Sequence, residues 1–300
     1  DAYLRRHRPR GQAAPGAERA VSEPIEFVAR DGYPLAGTLF RPAEPNGRAV
    51  LVNSAVGVKQ QFYSSFAADL AERGFLVLTY DYRGIGASRR EPLRRMTTRI
   101  RDWARLDAPA ALDRLEETAR GAKLLAVCHS FGGNGLGIVP GIERYGAALF
   151  VGVQSGYWRH WRGAGRAGMW LLTHALLPAV SRTLGYFPAR LFGQGEDLPA
   201  GVAIEWASWC RDPRYAAGVV GDAGYRAFSA PIRSYWIADD GYAPRPATEA
   251  LLELYPAAAK ELKPVEPSEH GNTRIGHFGF FRERFRDTLW RDAADWLSSH

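Results

Sequence analysis

The sequence predicts an α/β protein: a mostly parallel eight-stranded sheet flanked by helices, with a helical cap inserted after the sixth strand. Three observations carry this expectation. Short continuous apolar runs alternate with stretches of helical spacing, the pattern of a parallel sheet covered on both faces. The alternation stops between Gln154 and Ala230 and resumes at Ile232. A serine, Ser130, stands where an apolar run breaks sharply into a helical stretch, in Cys128-His-Ser-Phe-Gly-Gly133.

The elements follow in order. Ile25 to Ala29 and Tyr33 to Phe40 read as an antiparallel hairpin, with Asp31-Gly32 supplying turn residues that tolerate positive φ. Arg48 to Asn53 is a strand buried on both faces, and Phe62 to Arg73 has helical spacing closed by Gly74. Phe75 to Tyr80 is the next strand and Arg101 to Arg120 the next helix. Lys123 to Val127 is then a strand, Phe131 to Val139 a helix and Ala147 to Val153 a strand. After the interruption come a strand at Ile232 to Ala238, a helix at Pro246 to Tyr255, a strand at Glu261 to Val265 and a helix at Phe281 to Leu297. The expected organisation is a basic N-terminal arm (1–22), a core in two parts (23–153 and 231–300) and a cap (154–230). The cap is rich in aromatics, most of which serve as its own core.

Composition narrows the function. A chain of 300 residues with 46% hydrophobic content buries a full core. The net charge of +7 is almost all arginine, with lysine only at Lys59, Lys123, Lys260 and Lys263. Outside the first twenty residues the arginines are interleaved with Asp and Glu, and no nucleic-acid module accompanies them, so no nucleic-acid partner is expected. Two cysteines, Cys128 and Cys210, make no disulfide framework, and a reduced cytoplasmic setting is the default. The first twenty residues carry no apolar signal region. The chain does not begin with Met, which leaves a removed leader open. The most apolar window, Met169 to Val180, is too short and too interrupted to cross a bilayer. No Cys/His cluster has metal-ligand spacing, so neither a metal nor a cofactor is expected.

The chemistry centres on Ser130. A serine at a tight strand–helix turn needs small residues on either side, and Gly132 meets that need downstream while Cys128 occupies the upstream position. An unactivated serine also needs a base within hydrogen-bond reach and a third group to hold that base. Of seven histidines, His7 and His300 are terminal, His129 lies on the wrong side of the break, and His160 and His174 fall in the cap. His277, on a loop before the last helix, is favoured over His270. The orienting acid should leave a strand between Ser130 and His277, which points to Asp240, with Asp239 as fallback. The position after the preceding strand holds Gln154-Ser155, which supplies no carboxylate. An oxyanion hole would use the backbone N–H of Phe131 and one from the loop Ser54-Ala-Val-Gly57, for which Val56 is the choice.

With these residues in view, the chain resembles an α/β-hydrolase from Ile25 to Leu297, most nearly the uncharacterised bacterial serine-aminopeptidase-like and lysophospholipase-like group. The resemblance rests on Asp81-Tyr-Arg-Gly-Ile-Gly-Ala-Ser88, the turn at Ser130, the Asp240 loop and Gly-His at His277, and on cap stretches such as Gln154-Ser-Gly-Tyr-Trp-Arg-His-Trp161. It implies a Ser130–Asp240–His277 triad. The chain departs from the family pattern at Cys128, and at Ser54-Ala55, which stand for the usual His-Gly. The expectation is a serine hydrolase acting on a carboxylic ester or related small acyl substrate. The substrate would be apolar, with Trp158 and Trp161 as candidate contacts. Acyl transfer, thioester cleavage and a catalytically silent binding protein are the alternatives. A serine in place of a carboxylate nucleophile argues against dehalogenase chemistry.

Overall fold

The computed structural model describes residues 21–193, 195–271 and 273–300. Most of the expected N-terminal arm lies outside them, and its last two positions, Val21 and Ser22, already belong to a strand. Eight strands form one sheet: β1 (Val21–Val28), β2 (Pro34–Arg41), β3 (Arg48–Asn53), β4 (Leu76–Tyr80), β5 (Lys123–His129), β6 (Tyr145–Val151), β9 (Ile232–Ile237) and β10 (Lys260–Val265). Two further strands, β7 (Tyr186–Phe187) and β8 (Leu198–Pro199), pair with each other in a separate ribbon. The spatial order in the large sheet is β1-β2-β4-β3-β5-β6-β9-β10. Only β2 runs against its neighbours, and every other pairing is parallel.

The β1–β2 hairpin turns at Gly32, whose φ of +85° lies in the left-handed region that glycine reaches without cost. The central strands bury both faces, and side chains alternate between two apolar layers. In β3, Val50 and Val52 pack on one side and Ala49 and Leu51 on the other. Leu125 and Val127 of β5 join the first layer, against Phe66, Phe281 and Trp290. Leu124, Ala126 and Cys128 join the second, against Trp103, Phe131 and Trp209. This register sends His129 and Cys128 to opposite faces, just before the chain reaches Ser130.

Three expected helices differ from the observed ones. The segment after Ser130 is helical only over Phe131–Asn134, followed by a 3-10 turn at Leu136–Ile138. Glycines at 132, 133, 135 and 137 make a long helix there unfavourable. The helix expected from Arg101 contains a π turn, Trp103–Asp107, ahead of Ala108–Thr118. Pro109, at the start of the latter, has no N–H for the α ladder. The same device recurs with Pro178, where a π turn, Leu172–Leu176, precedes Leu177–Leu184. The last helix is likewise divided, with a 3-10 turn and a π turn before Arg291–Ser298.

Between β6 and β9 the chain is largely helical. Its main helices are Gly163–Leu171, Leu177–Leu184 and Ala200–Trp209, and the β7–β8 ribbon lies among them. No helix among the described residues is long and apolar enough to cross a membrane.

Candidate active site

Ser130 follows β5 directly and has φ 49° and ψ −113°, one of two non-glycine residues with positive φ among those described. An L-residue in this region is strained, and such strain persists only where the surroundings over-determine it. Here the turn is pressed against its neighbours on both sides. A Cβ at Gly132 would stand 2.2 Å from the carbonyl oxygen of Asn53, and one at Gly133 would stand 2.4 Å from Cγ1 of Val153. Ser130 N–H donates to the Val151 carbonyl at 3.0 Å, which ties the turn to β6. Cys128 does not disturb this arrangement. Its side chain is fully buried in the layer beneath, where Asn53 Nδ2 donates to its Sγ at 3.7 Å. Burial pushes the Cys128 thiol up to about 12, so it stays protonated.

Asp240 and His277 meet although 37 residues separate them. Nδ1 of His277 lies 2.7 Å from Oδ2 of Asp240, and both residues are buried. A carboxylate only accepts, so Nδ1 carries the proton and Nε2 is left as the basic nitrogen. Oδ1 of Asp240 accepts from the backbone N–H of Tyr242 (2.8 Å) and Ala243 (3.3 Å), which fixes the carboxylate plane. Its neighbour Asp239 does something else. It accepts from Ile275 N–H (3.0 Å) and Gly276 N–H (2.8 Å), clamping the backbone that presents His277. Gly152, at the end of β6 with φ +57°, is needed for space: a Cβ there would stand 3.2 Å from both Asp240 Oδ2 and His277 Nδ1. His270 sits elsewhere, on the 3-10 turn Pro267–His270 with its ring against Phe285.

His129, set aside as a base from sequence, is a strut. Its Nε2 lies 2.9 Å from the carbonyl oxygen of His277, and its Nδ1 lies 2.8 Å from Tyr63 Oη. The carbonyl can only accept, so Nε2 is protonated and the Tyr63 hydroxyl donates to Nδ1. Tyr63 Oη in turn accepts from Ala55 N–H at 3.0 Å. Burial above all, with the nearby His277 adding to it, holds His129 well below the usual histidine range, so the ring stays neutral. Burial likewise pushes the Tyr63 phenol up, keeping it a donor. This chain of hydrogen bonds runs from the loop after β3 to the backbone of His277.

That loop carries Val56. Besides the Tyr63 contact, Val58 N–H donates to Ala55 O (3.2 Å) and Glu196 N–H to Gly57 O (2.8 Å). The Glu196 carboxylate receives Lys59 Nζ and Gly86 N–H, each at 3.2 Å, and Arg190. Its pKa is pushed up by burial, but these three donors outweigh that and hold it below the usual range. A loop without the His-Gly pair is thus pinned from two sides. Neither Val56 N–H nor Phe131 N–H donates to another described residue.

Ser130, His277 and Val56 open on one cavity of about 280 Å³. Trp161, Met169, Leu172, Leu177, Phe187 and Trp206 are among its apolar walls. Its size lies just below the roughly 300–1,000 Å³ common for small-ligand sites. Larger hollows on the surface, between Arg41 and Ala122 and around Lys59 and Arg282, are shallow and touch neither Ser130 nor His277. Trp161 lines the cavity, with its indole N–H donating to Gly241 O at 3.0 Å. Trp158 does not line it; its ring packs edge-on to Tyr157 and His174, with Arg159 over its face. Ser130 Oγ makes no hydrogen bond to a described residue, a looseness common in sites without a ligand.

Comparison with known proteins identifies the fold that carries these residues. A family model described as Serine aminopeptidase, S33 matches residues 44–139, about a third of the chain, ending after the turn at Ser130 and before Asp240 and His277. An esterase domain from Rhodothermus marinus superposes with a TM-score of 0.59 at 17% identity, covering 93% of this chain and 98% of that one. The α/β hydrolase GrgF from Penicillium sp. sh18 superposes with a TM-score of 0.57 at 21% identity, covering 93% and 99%. The fold is the α/β-hydrolase fold. A protein named thiohydrolase from Eupenicillium brefeldianum is 37% identical over 75 residues, 25% of this chain. The chain covers about a quarter of that curated relative's length.

Proposed function

We propose that the protein is a serine hydrolase that cleaves a carboxylic ester or related acyl substrate through an acyl-enzyme on Ser130. The observation that carries this reading is the convergence of a strained Ser130 and a buried His277–Asp240 pair, 2.7 Å apart, on one apolar cavity. His277 Nε2 takes the Ser130 proton as Oγ attacks the acyl carbon, and Asp240 stabilises the imidazolium that forms. The oxygen that becomes negative is received by the N–H groups of Phe131 and Val56. Losing one such donor typically costs about 10²–10³ in rate. Protonated His277 then delivers its proton to the leaving group, and water repeats the sequence to release the acid. The segment 154–230 acts as a cap whose apolar side chains hold the acyl group. No Asp, Glu, Lys or Arg is among the described residues that line the cavity, which favours a neutral acyl group.

The relative named thiohydrolase supports a second reading, that the leaving group is a thiolate rather than an alkoxide. The same residues serve both, because a thioester forms the same acyl-enzyme. A fluorophosphonate probe tests the first step: wild type labels and Ser130→Ala does not. Labelling of Ser130→Ala as strong as wild type, or no labelling of wild type, overturns the nucleophile and leaves a binding protein. Paired oxygen esters and thioesters of one acid then separate the two readings by kcat/KM.

A further inference from the structure

The cavity contains a polar side chain that the proposed reaction does not use. Gln154 lies on the segment after β6, two residues beyond the Gly152 that packs on Asp240 and His277. It is only 7% exposed, yet it is one of the residues of the cavity wall, with Ser130, Asn134 and His277. Its backbone N–H is satisfied by Asn134 Oδ1 at 3.1 Å. Its carboxamide is not. Oε1 is closed off from solvent and has no hydrogen-bond donor among the described residues, and the backbone N–H is the one group of Gln154 seen to donate to any of them. The indole N–H groups of Trp161 and Trp206, by contrast, are both committed within the protein, to Gly241 O and to Tyr215 Oη. A buried carboxamide left unpaired beside a mainly apolar cavity is costly unless a ligand completes it.

We propose that Gln154 determines specificity by hydrogen-bonding a hydroxyl on the acyl part of the substrate, which is otherwise apolar. This rests on the reading of Ser130 as the acyl-accepting nucleophile. A hydroxyl is the group that fits, because it both donates and accepts, and so pairs with the carboxamide whichever way its O and N are turned. A plain alkyl chain would fill the apolar wall and leave the carboxamide unpaired. A carboxylate or ammonium would place a charge opposite a neutral partner. Since Gln154 and Ser130 share one cavity of about 280 Å³, the hydroxyl belongs to the part of the acyl group that this cavity encloses.

The experiment uses activated aryl esters of one chain length, octanoyl, without a hydroxyl and with a single hydroxyl moved from carbon 2 to carbon 5. Wild type is expected to favour one hydroxylated position by about 10–100-fold in kcat/KM over the plain ester. Sites built to bind a substrate hydroxyl reject the analogue that lacks it by at least this much. Gln154→Met, which keeps the length but removes both polar atoms, should bring that ratio to within about threefold, while Gln154→Asn should lie between. A ratio in Gln154→Met equal to that of wild type overturns the proposal, as does a wild type with no preferred position. If Gln154→Met does not fold, the wild-type series and Gln154→Asn still decide. If wild type hydrolyses none of the esters, the acyl chemistry fails instead. Thermal stabilisation of wild type by octanamide and its hydroxylated forms then tests Gln154 separately, and equal stabilisation by all of them overturns it.

Discussion

The loops at the carboxyl end of the sheet and the helical segment from 154 to 230 share one cavity under opposite constraints. The loops are held by polar contacts that leave little freedom. Asp240 accepts from His277 and from two backbone amides, Asp239 clamps residues 275 and 276, and His129 ties the His277 carbonyl to Tyr63. The helical segment contributes mainly apolar walls that are covered on one side. No residue of Gly163–Leu171 is buried, and Trp170 and Leu171 are close to half exposed. Yet Met169 and Leu172, on the same stretch, line the cavity. Under the proposed reaction the difference separates two tasks: reacting atoms need fixed geometry, which directional bonds supply, whereas an alkyl chain needs only excluded water, which compliant apolar surface supplies.

The largest expected effect breaks the rigid side. Asp240→Asn keeps the shape but presents an amide N–H to Nδ1 and favours the wrong imidazole tautomer, so kcat should fall by about 10⁴-fold. Steady-state kinetics, with a thermal melt to show that the fold persists, check this. A loss below about tenfold would mean that Asp239 or solvent can replace it, and that the two adjacent carboxylates are less distinct than their contacts indicate.

A smaller effect tests the strut. His129 is held below the usual histidine range in the folded protein, while in the unfolded chain it titrates near about 6.5. Below that pH the unfolded chain takes up a proton that the fold refuses. Stability from this group is therefore complete above about 6.5 and drains as pH falls, by up to about 1.4 kcal/mol per unit. Between pH 6.5 and 5 that is at most about 2 kcal/mol. His129→Gln can still donate to the His277 carbonyl and accept from Tyr63 but does not titrate. Urea unfolding at the two pH values should show wild type losing more stability than the variant. Equal losses would assign the acid sensitivity to other groups.

The same contrast governs what could be read from sequence. Strands β3, β5 and β6 are legible because burial on both faces requires continuous apolar runs, and the β1–β2 turn is legible because Asp31-Gly32 suits positive φ. The end of the helix after Ser130 is not legible in an apolar pattern that continues to Val139, because the cost of four glycines leaves no mark on that pattern. The β7–β8 ribbon left no pattern, since two residues per strand show no period. In the candidate site, strand ends and chain order point to Ser130, Asp240 and His277, and the contact between Asp240 and His277 follows that order. The division of labour between Asp239 and Asp240 could not be read from sequence, because it depends on which way a turn aims two identical side chains. Gln154 was visible only as a position lacking a carboxylate. Its open carboxamide is a fact of packing. Trp158 shows the limit from the other side: an aromatic residue in a helical segment carries no sign of the direction its ring faces.

The smallest effect sharpens the compliant side. Leu176 lines the cavity but is 38% exposed, so its outer half is already in water. Truncation to Ala removes apolar wall without opening a sealed void, so the stability cost should stay below about 1 kcal/mol, well short of the 2–5 kcal/mol seen at buried leucines. Catalysis of short acyl esters should change by less than about threefold, because none of the polar contacts around His277 involves this residue. The acyl-length optimum should move instead, lengthening by about two carbons as the chain takes up the vacated wall. A chain-length series on wild type and Leu176→Ala measures this. If the optimum stays in place while kcat falls for every length, the helical segment positions the reacting atoms as well, and the two regions do not divide the work in the way their contacts suggest.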